Sequence, residues 1–311
     1  MNKAPLSPPT SGSPSPQQRD NRLAALDQYL APHGRLTRLM YRATRIRAPW
    51  FKRWQINWFI RRYGVDMGIA AQPDLEAYPD FNTFFTRALR PDARPLPADP
   101  DAIICPVDGA VSQAGAITRD RLYQAKGHDF ALQTLLGGGE HAALFENGVF
   151  ATLYLSPKDY HRVHMPLAGQ LREMIYVPGQ LFSVSPRTVE TIPGLFARNE
   201  RLVMIFDSAC GPLALIMVGA MFVAGMETVW SGLVSVDHRD APRRWDYSKR
   251  LAPLRFARGE EIGRFNMGST VILLFPSGYV ELAPTFLPGA PVQMGQHFAS
   301  LIAGTRRATQ W

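Results

Sequence analysis

The stretch LVMIFDSACGPLALIMVGA, residues 202–220, decides between two very different folds. Residues 209–226, which overlap it, contain no charged side chain over a length that would suffice for a membrane-spanning helix. Four glycine and proline residues interrupt this segment: Gly211, Pro212, Gly219 and Gly225. Such residues are poor in helix and strand interiors and typical of turns. We therefore predict two buried apolar strands joined by a Ser-Ala-Cys-Gly-Pro turn, with a membrane-spanning helix as the alternative.

Similar short apolar runs, separated by turn residues, continue through the chain from about residue 101. The clearest of them cover residues 149–155, 171–177, 202–206, 213–218 and 271–275. Runs of this length bounded by Gly, Pro, Asn and Asp are typical of β-strands. We predict an α+β fold, in which a β-rich, mainly antiparallel body over residues 101–311 follows a helical region over residues 21–100. The Pro/Ser-rich residues 1–20 lack the apolar core of a secretory signal and are predicted to be a disordered tail.

The helical region has an unusual composition. Helical spacing over residues 21–63 is broken near residues 32–34 and again at Pro49, and Trp50, Trp54 and Trp58 then share one stripe. A tryptophan stripe beside arginines is typical of a helix in the interface of an anionic bilayer. The alternative is a core helix with a solvated basic face. We favour the membrane because residues 35–63 contain no acidic residue.

The net charge of +8 belongs to this region alone. Residues 35–63 contain nine basic residues, whereas the rest of the chain has 25 basic and 26 acidic residues. Nucleic-acid binding is therefore not expected, because the charge is not spread over the body and no RNA-binding motif is present. Cys105 and Cys210 are the only cysteines and match no metal spacing, which is compatible with a reducing cytoplasmic setting.

Three short segments carry side chains suited to catalysis. Ser269 follows the unhindered Gly268 immediately before a predicted strand, where it is either an ordinary strand entry or a nucleophile. His161 and His164 lie three residues apart and are metal ligands, a structural pair or acid–base groups. No third ligand lies at a telling spacing, so no metal site is predicted. Asp108 is either a turn residue or a carboxylate that orients a histidine.

Seven segments of the chain together carry a family resemblance. They are FNTFFTRALRPDARPLP, VDG, QAKGHDF, YLSPKDYHRVHMPLAGQLREMIYVPGQLFSV, LFARNER, ETVWSG and GRFNMGSTV. In these segments the chain resembles the bacterial, membrane-associated phosphatidylserine decarboxylases over about residues 35–290. It departs from the family in its Pro/Ser-rich start and in Met267, where a leucine usually stands, a swap of similar volume.

The resemblance implies a self-cleaving proenzyme. The serine matching Ser269 would attack the carbonyl of Gly268, and the chain would be cut between residues 268 and 269, leaving a pyruvoyl group derived from Ser269. By similarity, His164 would be the base and Asp108 its orienting partner. If the three residues form a relay, we expect the His164 ring to lie within about 2.6 to 3.2 Å of both Asp108 and Ser269, or somewhat more loosely in an uncut or unliganded chain. His161 would serve the later protonation of the substrate carbon. The division of roles between the two histidines is the least specific part of the resemblance.

The resemblance also implies a reaction and partners. The enzyme would convert phosphatidylserine to phosphatidylethanolamine through a Schiff base with the pyruvoyl group, its covalent cofactor. Its partners would be an anionic phospholipid membrane, its own two cleavage fragments held as a complex, and further copies in a homo-oligomer. We expect a peripheral protein on the cytoplasmic face of the cell membrane. The alternatives are a pyruvoyl decarboxylase of a soluble amino acid and a non-catalytic lipid-binding relative.

Overall fold

The computed structural model describes residues 33–220, 225–234 and 241–305. The predicted tail, 1–20, and the first part of the helical region, 21–32, lie outside the described residues. The helices are α1 (His33–Ala43), α2 (Pro49–Tyr63), α3 (Phe81–Phe85), α4 (Leu132–Leu135), α5 (Pro186–Val189) and α6 (Leu195–Arg198), with 3-10 turns at Leu75–Ala77 and Ala142–Leu144. We call residues 33–89 the arm, residues 90–100 the connector, and the described residues from 101 onward the body.

Helix α2 is bounded by residues whose backbone preferences suit its ends. Pro49 occupies the first turn, where a helix needs no N–H donor from it. Gly64 ends the helix with a φ of 69°, and its N–H donates to the Ile60 carbonyl at 2.8 Å. The predicted break at Pro49 is thus a helix start. The other predicted break, near residues 32–34, lies at the border of the described residues and is not tested.

The buried side of α2 packs on a small aromatic core, which we call the arm cluster. Its members are Ile56, Phe59, Val65, Tyr78, Phe81, Phe84 and Phe85. Lys52 is also buried, and its ammonium donates to the carbonyls of Glu76 at 2.8 Å and Tyr78 at 2.6 Å. The sequence of residues 81–89 predicts a short aromatic helix over that whole range. Helix α3 ends earlier, at Phe85, because Leu89 forms an antiparallel bridge with Ala70.

The body is built from strands. In chain order they are β1 (Ala102–Ile104), β2 (Gly109–Ala116), β3 (Arg121–Ala125), β4 (His128–Ala131), β5 (Val149–Leu155), β6 (Arg162–His164), β7 (Gly169–Val177), β8 (Arg201–Ser208) and β9 (Gly211–Val218). They continue with β10 (Met226–Thr228), β11 (Gly232–Leu233), β12 (Arg243–Asp246), β13 (Arg255–Phe256), β14 (Glu261–Phe265), β15 (Ser269–Phe275), β16 (Val280–Leu282), β17 (Pro291–Val292) and β18 (His297–Leu301). The predicted α+β class with a β-rich, antiparallel body is confirmed.

Nine of these strands form one large antiparallel sheet. Its order is β12-β7-β8-β9-β15-β5-β2-β17, and β13 also pairs with β7. The smaller sheets have the orders β11-β10-β14-β6, β1-β18-β16 and β3-β4. Strands β8 and β9 pair from Arg201 with Val218 to Ser208 with Gly211, which confirms the predicted hairpin. Among the described residues, no helix is both long and apolar enough to cross a membrane.

Strand β15 lies at the centre of the large sheet. It pairs with β9 on one side and β5 on the other, and every one of its residues is buried. Burying a side chain of the size of Leu273 stabilises the fold by about 1.5 to 3 kcal/mol. The start of this strand, at Ser269, is therefore among the most firmly held positions of the chain.

The sequence that follows the Pro-rich residues 91–100 predicts a strand ending at Asp108. This prediction is wrong, because Asp108 lies between two strands. Strand β1 ends at Ile104, and β2 begins at Gly109. Gly109 has a φ of 156°, and a Cβ there would overlap the Tyr154 carbonyl of neighbouring β5. Glycine therefore permits the chain to turn from Asp108 directly into the ladder.

Candidate active site

The nucleophile candidate, Ser269, is fully buried at the first position of β15. Its Oγ has no hydrogen-bond partner among the described residues. A buried hydroxyl without a partner is unfavourable and calls for an explanation, such as a catalytic role. The space beside the preceding Gly268 is open, since a Cβ built there would meet no atom within 4 Å. The hydroxyl and the adjacent glycine are thus free of competing contacts in the uncut chain.

His161 lies in a dry aromatic environment. Its ring stacks on Phe85 of the arm cluster, with centroids 4.1 Å apart, and is fully buried. Neither ring nitrogen has a hydrogen-bond partner within the described part of the chain. Burial, reinforced by the positive charge of Arg87, lowers the pKa of His161 to about 3. The imidazole is therefore neutral near pH 7.

His164 has a partner at each ring nitrogen. Nδ1 lies 2.9 Å from the Gly259 carbonyl oxygen, which can only accept, so Nδ1 carries the proton. Nε2, 2.9 Å from the Tyr160 hydroxyl, then accepts a hydrogen bond from it. Burial lowers the pKa of His164, partly offset by the bond to Gly259. The residue is a neutral imidazole whose one lone pair is engaged by Tyr160.

Asp108 is neutralised by an arginine from the connector between arm and body. Arg94 Nε donates to Asp108 Oδ1 at 3.0 Å and Arg94 Nη2 donates to Oδ2 at 2.5 Å. The Met294 N–H donates to Oδ1 at 2.8 Å. Both side chains of this pair are about nine-tenths buried. Two-point pairing of this kind fixes the carboxylate firmly.

The structure brings the Asp108 and His164 segments together, but it does not form the expected relay. The His164 N–H donates to the Pro106 carbonyl at 2.9 Å, two residues from Asp108. The expected hydrogen bonds of the His164 ring to Asp108 and Ser269 are absent, because Tyr160, Gly259 and Arg94 occupy the groups that would form them. Direct hydrogen bonds of the relay are therefore not formed in the uncut chain, for which a looser arrangement is expected, and the relay stays a prediction.

The order of strands in the large sheet explains why the Asp108 segment lies apart from Ser269. Ala110 of β2 and Thr270 of β15 both pair with Tyr154 of β5. The entry to β2 and the start of β15 thus lie on opposite sides of β5, about 10 Å apart at the usual strand spacing. The catalytic roles of Asp108, His161, His164 and Ser269 stay predictions.

Sequence reasoning did not single out Arg87, Arg94 or Tyr160, although all three lie in the segments that carry the resemblance. Arg87 is 3% exposed, and its Nε and Nη1 have no partner among the described residues. Its Nη2 donates to the Lys158 carbonyl at 3.2 Å. These three residues and Asp108 line a cavity of about 330 Å³. The sequence signal that could have found the two arginines is that Arg87 and Arg94 lie on either side of Pro91 in a segment with few acidic residues.

The cavity is bounded by charged groups from both regions. Burial lowers the pKa of Arg87 and raises that of Tyr160 and Asp159. The described residues contain no group of three or more His, Cys, Asp or Glu side chains that could hold a metal ion. The cavity is therefore lined by buried positive charge and by Tyr160, whose hydroxyl donates to His164.

A second surface lies on the outer side of α2. Trp50, Trp54 and Trp58 are 74%, 59% and 51% exposed, and Arg53, Arg61 and Arg62 line the shallow depression between them. We call these six residues the tryptophan surface. The alternative in which the tryptophans lie in the core is excluded, because the core side of this helix is formed by Ile56 and Phe59.

Comparison with known proteins agrees with this architecture. The sequence model of the family described as phosphatidylserine decarboxylase matches residues 81–300, and a second, described as PSD, matches residues 23–64. A phosphatidylserine decarboxylase proenzyme of Pseudomonas putida (strain GB-1) is 54% identical over 281 residues, which cover 90% of this chain and 98% of the relative. The proenzyme of Pseudomonas aeruginosa (strain LESB58) is 54% identical over 90% of this chain and 97% of the relative. The proenzyme of Ectopseudomonas mendocina (strain ymp) is 54% identical over 88% of this chain and 96% of the relative.

These similarities define the class of the protein first: it is an enzyme, a carboxy-lyase, as predicted. The chain belongs to the phosphatidylserine decarboxylase family. The predicted resemblance is thereby confirmed.

Proposed function

We propose that the chain decarboxylates phosphatidylserine to phosphatidylethanolamine after cutting itself between Gly268 and Ser269. The observation that carries the proposal is the buried, unpartnered Ser269 hydroxyl beside an open Gly268, in a chain whose relatives are named proenzymes. A soluble amino acid as substrate is less favoured, because it would not call for the tryptophan surface. A non-catalytic relative would not need to retain all three of Asp108, His164 and Ser269 in its sequence.

The cut begins as an attack of a side chain on its own backbone. Ser269 Oγ forms a bond to the Gly268 carbonyl carbon, and the bond from that carbon to the Ser269 nitrogen breaks. The Oγ proton leaves to a base, and the released nitrogen gains a proton, so an amide becomes an ester. The Ser269 α-proton is then removed and Gly268 departs as a carboxylate from Cβ. The remaining enamine becomes an imine, and water replaces its nitrogen, which leaves as ammonia.

His164 is the proposed base for these proton transfers. Because burial lowers its pKa, the imidazole is neutral and able to accept a proton at pH 7. Its Nε2 lone pair becomes available only when the Tyr160 hydroxyl gives up its hydrogen bond, so Tyr160 and His164 must rearrange for the cut. Asp108, held by Arg94, supplies a fixed negative charge near the resulting imidazolium.

The residues present fit the expected covalent group. Ser269 is anchored by strand pairing with Leu155, so the group formed from it would stay at the end of β15. When formed, the pyruvoyl carbonyl would condense with the substrate amine and take up the electron pair left by departing CO2. His161, neutral in the uncut chain, would need to gain a proton before delivering one to carbon. An anionic substrate in the site would raise its pKa and so favour that step.

The two fragments would remain one complex. The C-terminal fragment, residues 269–311, would keep β15 between β5 and β9, β17 on β2 and β18 on β1. The tryptophan surface would place the enzyme on an anionic membrane, at the cytoplasmic face of the cell membrane. There the indole rings would lie at headgroup level and the arginines would meet phosphates. Assembly into a homo-oligomer stays a prediction.

Mass spectrometry and a product assay test the proposal together. Intact mass of purified protein should give two chains, 1–268 and 269–311, with the smaller one lighter by one ammonia than a fragment that starts with serine. Ser269→Ala should remain a single inactive chain, whereas Ser277→Ala, at an exposed serine of the following loop, should be cut normally. CO2 release should be seen with phosphatidylserine vesicles and not with free serine. An uncut chain that releases CO2 would overturn the mechanism, and activity on free serine would overturn the substrate.

A further inference from the structure

The two residues before the proposed cut are held by the arm. Asn266 is fully buried, and Met267 packs against the arm cluster rather than the core of the body. Met267 has a φ of 157°, a conformation that residues with side chains rarely adopt. Such a conformation persists only when surrounding contacts impose it. The contacts that impose it come from a region of the chain nearly 200 residues away in sequence.

Asn266 is the middle member of a hydrogen-bond chain across the two regions. Asn82 Nδ2, in helix α3, donates to Asn266 Oδ1 at 3.0 Å. Asn266 Nδ2 donates to Glu227 Oε1, in strand β10, at 2.8 Å. Because an amide can donate and accept at once, Asn266 satisfies both neighbours, whereas a carboxylate could satisfy only Asn82.

The backbone contacts reinforce this link. The Asn266 N–H donates to the Gly225 carbonyl at 3.0 Å, and the Asn82 N–H donates to the Thr44 carbonyl, just beyond α1, at 2.9 Å. A continuous path of hydrogen bonds therefore runs from the end of α1 through α3 to the loop before Ser269. No residue on this path is one of the proposed acid–base groups.

We propose that Asn266 is a positioning residue that fixes the Met267–Gly268 backbone for attack by Ser269, and that the arm thereby sets the rate of self-cleavage. The inference rests on the proposed self-cleavage. Attack within one chain needs the hydroxyl and the carbonyl carbon held in a narrow range of geometry, and a displacement of about 1 Å can cost 100-fold in rate. The arm thus serves maturation through its buried side and the membrane through its outer side.

A charge-rearrangement series tests this role. Asn266→Asp sets a carboxylate against Glu227 and should slow self-cleavage by about 10- to 100-fold. Adding Glu227→Gln supplies a donor amide to the new carboxylate and should restore most of the rate. Glu227→Gln alone keeps an acceptor for the Asn266 amide and should slow self-cleavage less than Asn266→Asp does. Because relief of this repulsion would also restore lost stability, the positioning role is shown only if the rate falls and is rescued at an unchanged melting temperature.

The arm end of the path needs its own variant. Asn82→Asp removes the donor to Asn266 and should slow cleavage, whereas Gln72→Glu, the same chemical change at an exposed position of the arm, should not. Cleavage would be timed on gels after cell-free synthesis, and melting temperatures measured with Ser269→Ala added, so that every variant is compared uncut.

The outcomes separate the two proposals. A wild-type chain that is never cut between Gly268 and Ser269 would overturn the proposed function. A wild-type chain that is cut, with Asn266→Asp cut equally fast, would overturn this inference alone. Slow cleavage of Asn266→Asp that Glu227→Gln fails to restore, at unchanged melting temperature, would also overturn it.

Discussion

The arm and the body differ in how far they bury their apolar side chains. The body buries all seven residues of β15, including a serine and a threonine whose hydroxyls find no partner in the described part of the chain. The arm has only a small aromatic cluster and leaves three tryptophans more than half exposed on the same helix. The body therefore holds reactive groups away from water, whereas the arm holds apolar groups ready for a partner outside the chain.

The Arg94–Asp108 pair joins the connector to the body, and breaking it should have the largest effect on stability. Arg94→Leu leaves the buried Asp108 carboxylate without its cation, which typically costs about 3 to 5 kcal/mol. Arg90→Leu breaks an exposed pair with Asp92 and should cost less than about 1 kcal/mol. Urea unfolding of both variants, each also carrying Ser269→Ala, measures the difference. Equal losses would show that Arg94 contributes no more than a surface charge.

The tryptophan surface should govern membrane binding without governing the cut. Replacing Trp50, Trp54 and Trp58 by Ala should weaken sedimentation with anionic vesicles by about 100-fold, because three partly inserted rings are lost. Self-cleavage should survive, because the arm contacts the cleavage loop through its other side. Leu251→Ala with Leu287→Ala removes exposed apolar residues of the body and provides the matched control. Unchanged vesicle binding of the tryptophan variant would contradict the proposed surface.

Added salt should weaken vesicle binding as well. Arg61 and Arg62 would each contribute about 1 kcal/mol near an anionic surface, and this attraction is screened by salt. Arg53 is already paired with Glu76. Binding that is insensitive to salt would assign the affinity to the rings alone.

Acid should destabilise the body through His161. Its pKa is about 3 in the folded chain and 6.5 ordinarily, so below pH 6.5 the unfolded chain binds a proton that the folded chain does not. The free energy of unfolding should therefore fall as the pH is lowered from 6.5 towards 3, by up to about 1.4 kcal/mol per pH unit. His161→Gln should reduce this slope, and His297→Gln, at an exposed position, should leave it unchanged. An identical slope in all three proteins, measured with Ser269→Ala added, would argue against a buried neutral His161.

The strands were predictable because each is a short apolar run between turn residues. Residues 149–155 were predicted at their observed bounds, and the other four runs gain one or two residues at their ends from ladder pairing. The helix predicted to end at residue 89 was too long, since pairing of Leu89 with Ala70 depends on a distant residue. Local patterns thus fix which segments are apolar, whereas tertiary contacts set where each element stops.

For the candidate site as well, the sequence identifies the residues but not their contacts. The family motifs point to Ser269, His161, His164 and Asp108, but not to the hydrogen bonds that these residues make. Arg94 lies 14 positions from Asp108, and Gly259 lies 95 positions from His164, so neither contact leaves a local signal. The relay expected from the motifs is accordingly replaced by contacts that only the fold reveals.

The central place of β15 has a consequence for solubility. A strand at the border of a sheet offers unpaired N–H and C=O groups to other chains, which invites aggregation. The proposed cut falls just before a strand with partners on both sides, and the outermost strands of the large sheet, β12 and β17, lie elsewhere. The chain would therefore gain a new N-terminus without gaining a new sheet border, and maturation would expose no surface on which other copies could add a strand.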